Sequence, residues 1–187
     1  MYLIRGQHNL DLFNSRFPRV RLCGTIGNFD GLHLGHQAIL NKVKKNAQQN
    51  DAKTIVFFTE PHASEYFAKA RDQNIMPPPR ICPWREKLKL LKQNKIDFAF
   101  FLKFNDSLRT MPPEDFISEI LESINLVSFT VGDDFRFGEN RKGDSNLLKS
   151  WGDKNNVIVE NTETILHKGK RVSSTRIRNE LMNNNFD

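Results

Sequence analysis

Thr25-Ile26-Gly27-Asn28-Phe29-Asp30-Gly31-Leu32-His33-Leu34-Gly35-His36 lies between two patterned runs. Before it, Val20, Leu22, Cys23 and Ile26 predict a short strand; after it, Leu40, Val43 and Ala47 recur at helical spacing to about Gln49. Three glycines and two histidines therefore fall where a strand passes into a helix. A helix start carries unpaired N–H groups and the positive end of a dipole, and both favour a phosphate. Gly27, Gly31 and Gly35 allow tight turning and close approach of a ligand. His33 and His36 sit on one turn, so both imidazoles can address the same anion, as donors whose protonation changes near neutral pH. A lone His-x-Gly-His is read equally well as a surface turn with two solvated histidines. Its place between strand and helix favours a nucleotide phosphate site.

Working outward, Lys53 to Thr59 is a short run of β-branched and aromatic residues, the pattern of a buried strand. Strand, helix, strand opens a parallel α/β sheet with right-handed crossovers, whose ligands bind beyond the carboxyl ends of the strands. Glu60-Pro61-His62 falls at that rim, and read alone it is a plain loop start. Residues 63–83 read as a flap or small subdomain, with Pro77-Pro78-Pro79 as a stiff extended piece. A helix from Trp84 to about Asn94, a strand over 97–102, a proline-started helix from Pro112 and a strand over 126–131 follow. A helix over 145–154, a strand over 157–159, a hairpin around Lys168-Gly169 and a last helix carrying Ile177 and Leu181 complete the pattern. Residues 1–19 carry mixed signals.

Two further segments carry chemistry. Gly132-Asp133-Asp134-Phe135-Arg136-Phe137-Gly138 leaves the end of a strand with two rings, two carboxylates and an arginine, which suits a planar, polar-edged ligand. The competing reading is a glycine turn whose phenylalanines point into the core. Arg171-Val172-Ser173-Ser174-Thr175-Arg176-Ile177-Arg178 sets hydroxyls and guanidinium groups at a helix start, a second phosphate cradle or an ordinary N-cap.

The 187 residues bound the chain to about one domain. Charged residues make up 27% and apolar ones 38%, an ordinary globular balance that excludes a fibrous or disordered chain. No apolar run is long enough to span a bilayer, and the amino terminus lacks a signal-peptide core, so a cytoplasmic setting is expected. Cys23 and Cys82 have no metal-type spacing and are expected as free thiols. The net charge of +6 suits anionic small substrates. No basic stripe interleaved with aromatics stands out, which argues against a nucleic-acid partner. Lys42, Lys44 and Lys45, and Lys87, Lys89 and Lys92, are expected on exposed helix faces.

Gly27 to Gln37 in its long form resembles the prokaryotic FAD synthetases, the bifunctional riboflavin kinase/FMN adenylyltransferases of the nucleotidylyltransferase superfamily. Gly132–Gly138 and Ser174-Thr175 with Arg178 match further segments of that family in the expected order. Phe58-Thr59-Glu60-Pro61-His62-Ala63 departs from its usual Thr-Phe-x-Pro-His-Pro. The resemblance implies a Rossmann-like nucleotidylyltransferase fold, α/β, with a mostly parallel five- to six-stranded sheet flanked by helices. It implies AMP transfer from ATP to FMN, with Mg²⁺ carried mainly on the ATP phosphates and no metal held by the protein alone. His33, His36 and Arg178 would be catalytic. Gly27, Asn28, Phe29, Gly31, Gly35, Arg171, Ser174 and Thr175 would hold ATP, and Pro61, His62, Asp134, Phe135, Arg136 and Phe137 the flavin. Residues 1–187 are then an adenylyltransferase domain without the C-terminal riboflavin kinase domain expected in a full-length version. Asn183 to Asp187 reads as an interrupted linker. The alternatives are an adenylyltransferase for another acceptor, such as nicotinamide mononucleotide, and a nucleotide-binding regulator without turnover.

Overall fold

The computed structural model describes residues 1–71 and 76–185. Strand β1 (Tyr2–Arg5) is followed by helix α1 (Leu10–Arg16), strand β2 (Leu22–Ile26) and helix α2 (Leu34–Gln49). Strand β3 (Lys53–Glu60) leads into helix α3 (Ala63–Arg71), and helix α4 (Trp84–Gln93) into strand β4 (Phe98–Lys103). A short helix α5 (Asp106–Thr110) precedes helix α6 (Pro113–Phe116), which winds directly into a π-helical turn at Ile117–Leu121. Strand β5 (Leu126–Gly132), helix α7 (Ser145–Asn155) and strand β6 (Ile158–Thr162) complete the sheet. The expected hairpin is present as β7 (Leu166–His167) and β8 (Lys170–Arg171), and helix α8 (Ser174–Met182) follows.

The six strands β1 to β6 form one sheet in the order β1-β4-β3-β2-β5-β6, all parallel. From β2 the chain steps outward through β3 to β4, then returns to lay β5 on the other side of β2. The order reverses between β2 and β5, and that crevice is where an open parallel sheet accepts ligands.

The run at 53–59 explains the layering. Alternate side chains of a strand leave opposite faces, so a strand buried on both is apolar throughout. Ile55 and Phe57 join Phe13 of α1, Ile120 and Leu148 of α7 in one core; Val56 and Phe58 meet Leu40 of α2 and Leu91 of α4 in the other. Phe57 and Phe58 are both fully buried, each contributing roughly 1.5–3 kcal/mol.

Two sequence readings are corrected, and a third is only partly described. Residues 1–19 form a strand and a helix; β1 has only four residues and only Ile4 among them is fully buried, too short for a periodic signal. The expected flap or small subdomain over 63–83 begins with a regular helix as far as Arg71; its positions 72–75 lie outside the described residues. Lys87 is not on an exposed face. It is 2% exposed, with its ammonium 4.9 Å from the centre of the Phe58 ring, because the inner face of α4 needs a long aliphatic stem there. Positions 186–187 of the proposed linker also lie outside the described residues.

The starts of β3 and β4 are clasped by side chains. Asp97 Oδ2 accepts from the backbone N–H and the hydroxyl of Thr54, both at 2.9 Å, and the Thr54 hydroxyl accepts from the Asp97 N–H at 2.9 Å. Asp97→Ala should lower the free energy of unfolding by about 1–3 kcal/mol in urea titrations; an unchanged midpoint would show that this clasp adds nothing.

Candidate active site

The crevice between β2 and β5 receives two loops, and each is shaped by its sequence. After β2, Phe29 and Leu32 take left-handed backbone angles (φ 47° and 38°), and Gly31 takes φ 79°. A Cβ on Gly31 would meet Ile81 Cγ2 at 2.6 Å, so glycine is required both by the turn and by the neighbouring chain. The turn drives the Asp30 carboxylate inward until Asp30 is 1% exposed. There Oδ1 accepts from the N–H groups of Ile81 and Cys82, both at 3.0 Å, and Oδ2 accepts from Arg178 Nη2 at 2.6 Å. Burial pushes the Asp30 carboxyl pKa up. The bonds from Cys82, Ile81 and Arg178 outweigh burial and hold it below the usual carboxylate value.

His33 caps α2, its Nδ1 accepting from the His36 N–H at 3.4 Å. The neutral ring therefore carries its proton on Nε2. The two imidazoles stack with centres 3.7 Å apart and planes 18° apart. Behind them Phe29, fully buried, places its ring 5.0 Å from that of His36. Burial pulls the His36 pKa down from the ordinary 6.5 to about 3, with the neighbouring His33 and Lys87 adding to the fall. His33 and His62 are lowered too, mainly by burial. At neutral pH both rings of the pair are uncharged.

A cleft of about 470 Å³ opens in front of this pair. Asn28, His33, Gly35, His36 and His62 line it together with Arg171, Ser174, Thr175 and Arg178. The two separated motifs thus share one cavity. At the start of α8 the Ser173 hydroxyl caps Arg176 N at 3.2 Å and the Ser174 hydroxyl donates to the Asp30 carbonyl at 3.1 Å, which docks the helix against the β2 turn. Arg171 reaches across to Asp134 at 2.7 Å and Asp133 at 3.5 Å.

A second cleft, about 570 Å³, adjoins the first and shares Asn28 and Asp134 with it. Phe135 and Phe137 stack here at 5.6 Å and 12°, with Arg136 beside them and Phe67 and Phe104 opposite. Phe67 lies on α3, and Phe104 follows β4.

Several expected residues have different surroundings. Phe29 meets the cleft through His36, since its own ring is buried in the core. Gly27 lines the aromatic cleft, and Gly31 packs under Ile81 with its N–H 3.4 Å from Cys82 Sγ. His62 faces the histidine cleft rather than the aromatic one, and Pro61 lines neither. The residues that sequence reasoning missed are Asp30, Thr59, Phe67, Phe104 and Lys87. Asp30 lay inside the quoted motif, but its partners are 51 and more positions away. Thr59 near the end of β3, Phe67 on α3 and Phe104 just after β4 carry no local signal of a site.

The sequence pattern of the FAD synthetase family matches residues 20–176. The chain belongs to that family. The bifunctional riboflavin kinase/FMN adenylyltransferase of Buchnera aphidicola subsp. Schizaphis graminum is 38% identical over 189 residues, and that of Escherichia coli K12 is 36% identical over 187. Both alignments cover the whole chain and 57% of the relative, so the chain spans a little over half the length of these curated relatives. A Streptococcus pneumoniae crystal structure described as a macrolide-efflux protein superposes with a TM-score of 0.80 over 99% of the chain. At 22% identity that likeness shows the fold alone.

Because folded His36 holds its proton only near pH 3, the unfolded chain binds more protons below pH 6.5. Stability from this group is complete above 6.5 and is lost as pH falls toward 3. Between about pH 7.5 and about pH 5, His36→Gln should lose less unfolding free energy in urea titrations than the parent chain. Equal losses would contradict a neutral, buried His36.

Proposed function

We propose that this chain is an FMN adenylyltransferase, catalysing ATP + FMN → FAD + pyrophosphate. One observation carries the reading: a polar cleft with paired imidazoles and an aromatic cleft meet across Asn28 and Asp134. The first suits a triphosphate and the second a planar ring, so the two reacting phosphates would meet at the shared wall. Membership of the FAD synthetase family supports the same assignment.

An FMN phosphate oxygen attacks the α-phosphorus in line, the new P–O bond forms, and the bond to the bridging oxygen breaks to release pyrophosphate. No covalent enzyme intermediate is needed, so catalysis rests on positioning and charge stabilisation. The His33 Nε2–H and His36 donate to the oxygens of the transferred group. Being neutral, they follow charge as it develops rather than trapping the ground state. The Ser174 and Thr175 positions and Arg178 hold the departing phosphates at the start of α8. Arg178 spends two nitrogens on Asp30 and the Pro79 carbonyl, which fixes its remaining nitrogen in direction. Arg171 exchanges its carboxylates for phosphate.

Mg²⁺ would be held mainly on the ATP phosphates, since no cluster of three or more His, Cys, Asp or Glu among the described residues could hold a metal ion. Asp133, Asp134 and Glu163 line the polar cleft and are the hard oxygen donors this ion takes singly or in pairs beside phosphate oxygens. Bound there, it would neutralise charge on the phosphates. The setting is the cytoplasm, with a riboflavin kinase domain supplying FMN in the longer relatives.

The purified chain should form FAD and pyrophosphate in equal amounts from ATP and FMN, and no dinucleotide from ATP and nicotinamide mononucleotide. The reverse preference would move the assignment to another acceptor, and no turnover with either would favour a regulator. His36→Ala should retain the fold by circular dichroism and lower turnover at least about tenfold, the scale of one lost transition-state donor. A near-parental rate would remove His36 from the chemistry.

A further inference from the structure

A third cavity, about 590 Å³, lies at the other end of the same strand rim, beyond the carboxyl ends of β1 and β4. It is distinct from the histidine cleft, with which it shares no residue, and touches the aromatic cleft only through Leu102 and Leu108. Its size is in the range of small-molecule sites.

Two cations stand at its mouth. Arg5 ends β1 and Lys103 ends β4, neighbouring parallel strands in which Arg5 lies opposite Phe101. Both are exposed. Among the described residues Glu60 is the sole carboxylate that lines it, and Arg80, shared with Glu65, holds it with bonds of 2.6 and 3.0 Å. The positive charge of the cavity is therefore not neutralised from within. The walls include Trp84 and Phe101, packed edge to face at 5.7 Å, and the Arg5 guanidinium lies 5.9 Å from the centre of the Trp84 ring. Asn105 turns its Oδ1 to the Leu108 N–H at 3.0 Å, leaving its amide NH₂ as a donor.

We infer that this cavity is a second ligand site, taking a planar aromatic molecule that carries a phosphate, of mononucleotide size. The ring packs on Trp84 and Phe101, and Arg5 and Lys103 take the phosphate. The pairing of an aromatic floor with two cations that have no carboxylate partner among the described residues selects both halves of such a ligand together. A flavin and a purine mononucleotide share this chemistry. The site is independent of adenylyl transfer: none of Arg5, Lys103 and Trp84 lines the histidine cleft or the aromatic cleft.

Trp84 reports on its own site. The other tryptophan, Trp151, is buried on α7 with its indole N–H donating to Glu122 at 2.8 Å, so Trp151→Phe leaves Trp84 as the only indole. In that background FMN, AMP and riboflavin are titrated against Trp84 emission, with equilibrium dialysis counting bound ligand. FMN or AMP should change Trp84 emission saturably, and the stronger of the two identifies the ring the site prefers. Riboflavin, lacking phosphate, should bind there at least about tenfold more weakly than FMN. Arg5→Ala with Lys103→Ala should weaken the Trp84 response at least about tenfold and remove one bound ligand per chain, while FAD formation at saturating substrate persists. Arg5→Lys with Lys103→Arg should restore the response. No Trp84 response to either nucleotide, or a response unchanged by removing both cations, would overturn the site. Because emission reads the cavity and FAD formation reads the other clefts, either can fail alone.

Discussion

The buried carboxylate of Asp30 is the constraint on which the rest of the site depends. An ionised carboxylate that is 1% exposed persists only when its oxygens are bonded, and here two segments supply the bonds: the Ile81 and Cys82 backbone, and Arg178 of α8. The β2 turn, the chain entering α4 and the final helix are thereby fixed to one point. Arg178 also donates to the Pro79 carbonyl at 2.7 Å, and Arg80 bridges Glu60 and Glu65, so the segment returning from α3 is held from both sides. Together with the Ser174 bond to the Asp30 carbonyl, that clasp holds the start of α8 beside the histidines.

The sheet contributes direction and the loops contribute chemistry. Reversal of strand order between β2 and β5 leaves the 27–36 turn and the 132–138 loop side by side. One is rich in neutral donors, the other in rings and carboxylates. Burial keeps the imidazoles uncharged, while Lys87 and the arginines supply positive charge around them. For the substrates proposed above, which carry several negative charges, a cationic surround with neutral donors would separate attraction from transition-state stabilisation.

Much of this was legible in the sequence because the signals are local. The two-faced apolar run at 53–59, the spacing of Leu40, Val43 and Ala47, and the glycines around His33 and His36 each follow from the neighbouring residues alone. The parallel α/β class and the separated phosphate motifs came from such signals. What was not legible is long-range. Asp30 looked like a turn residue, because its role depends on Ile81 and Arg178. Lys87 looked solvated, because a lysine stem filling the inner face of α4 leaves no mark in composition. His62 follows the right strand, yet its place in the histidine cleft rather than the aromatic one has no local signal. β1 was hidden because a four-residue strand at a sheet edge has too few residues to show a period.

The measurement that bears most directly on convergence of the two motifs is a crystal structure of the chain with FMN and an ATP analogue whose α,β-bridge cannot be cleaved. The triphosphate should lie between the His33–His36 pair and the first turn of α8, with the flavin ring between Phe135 and Phe67 and its phosphate beside Asn28. A triphosphate bound elsewhere, touching neither His36 nor Arg178, would contradict a single shared phosphate site.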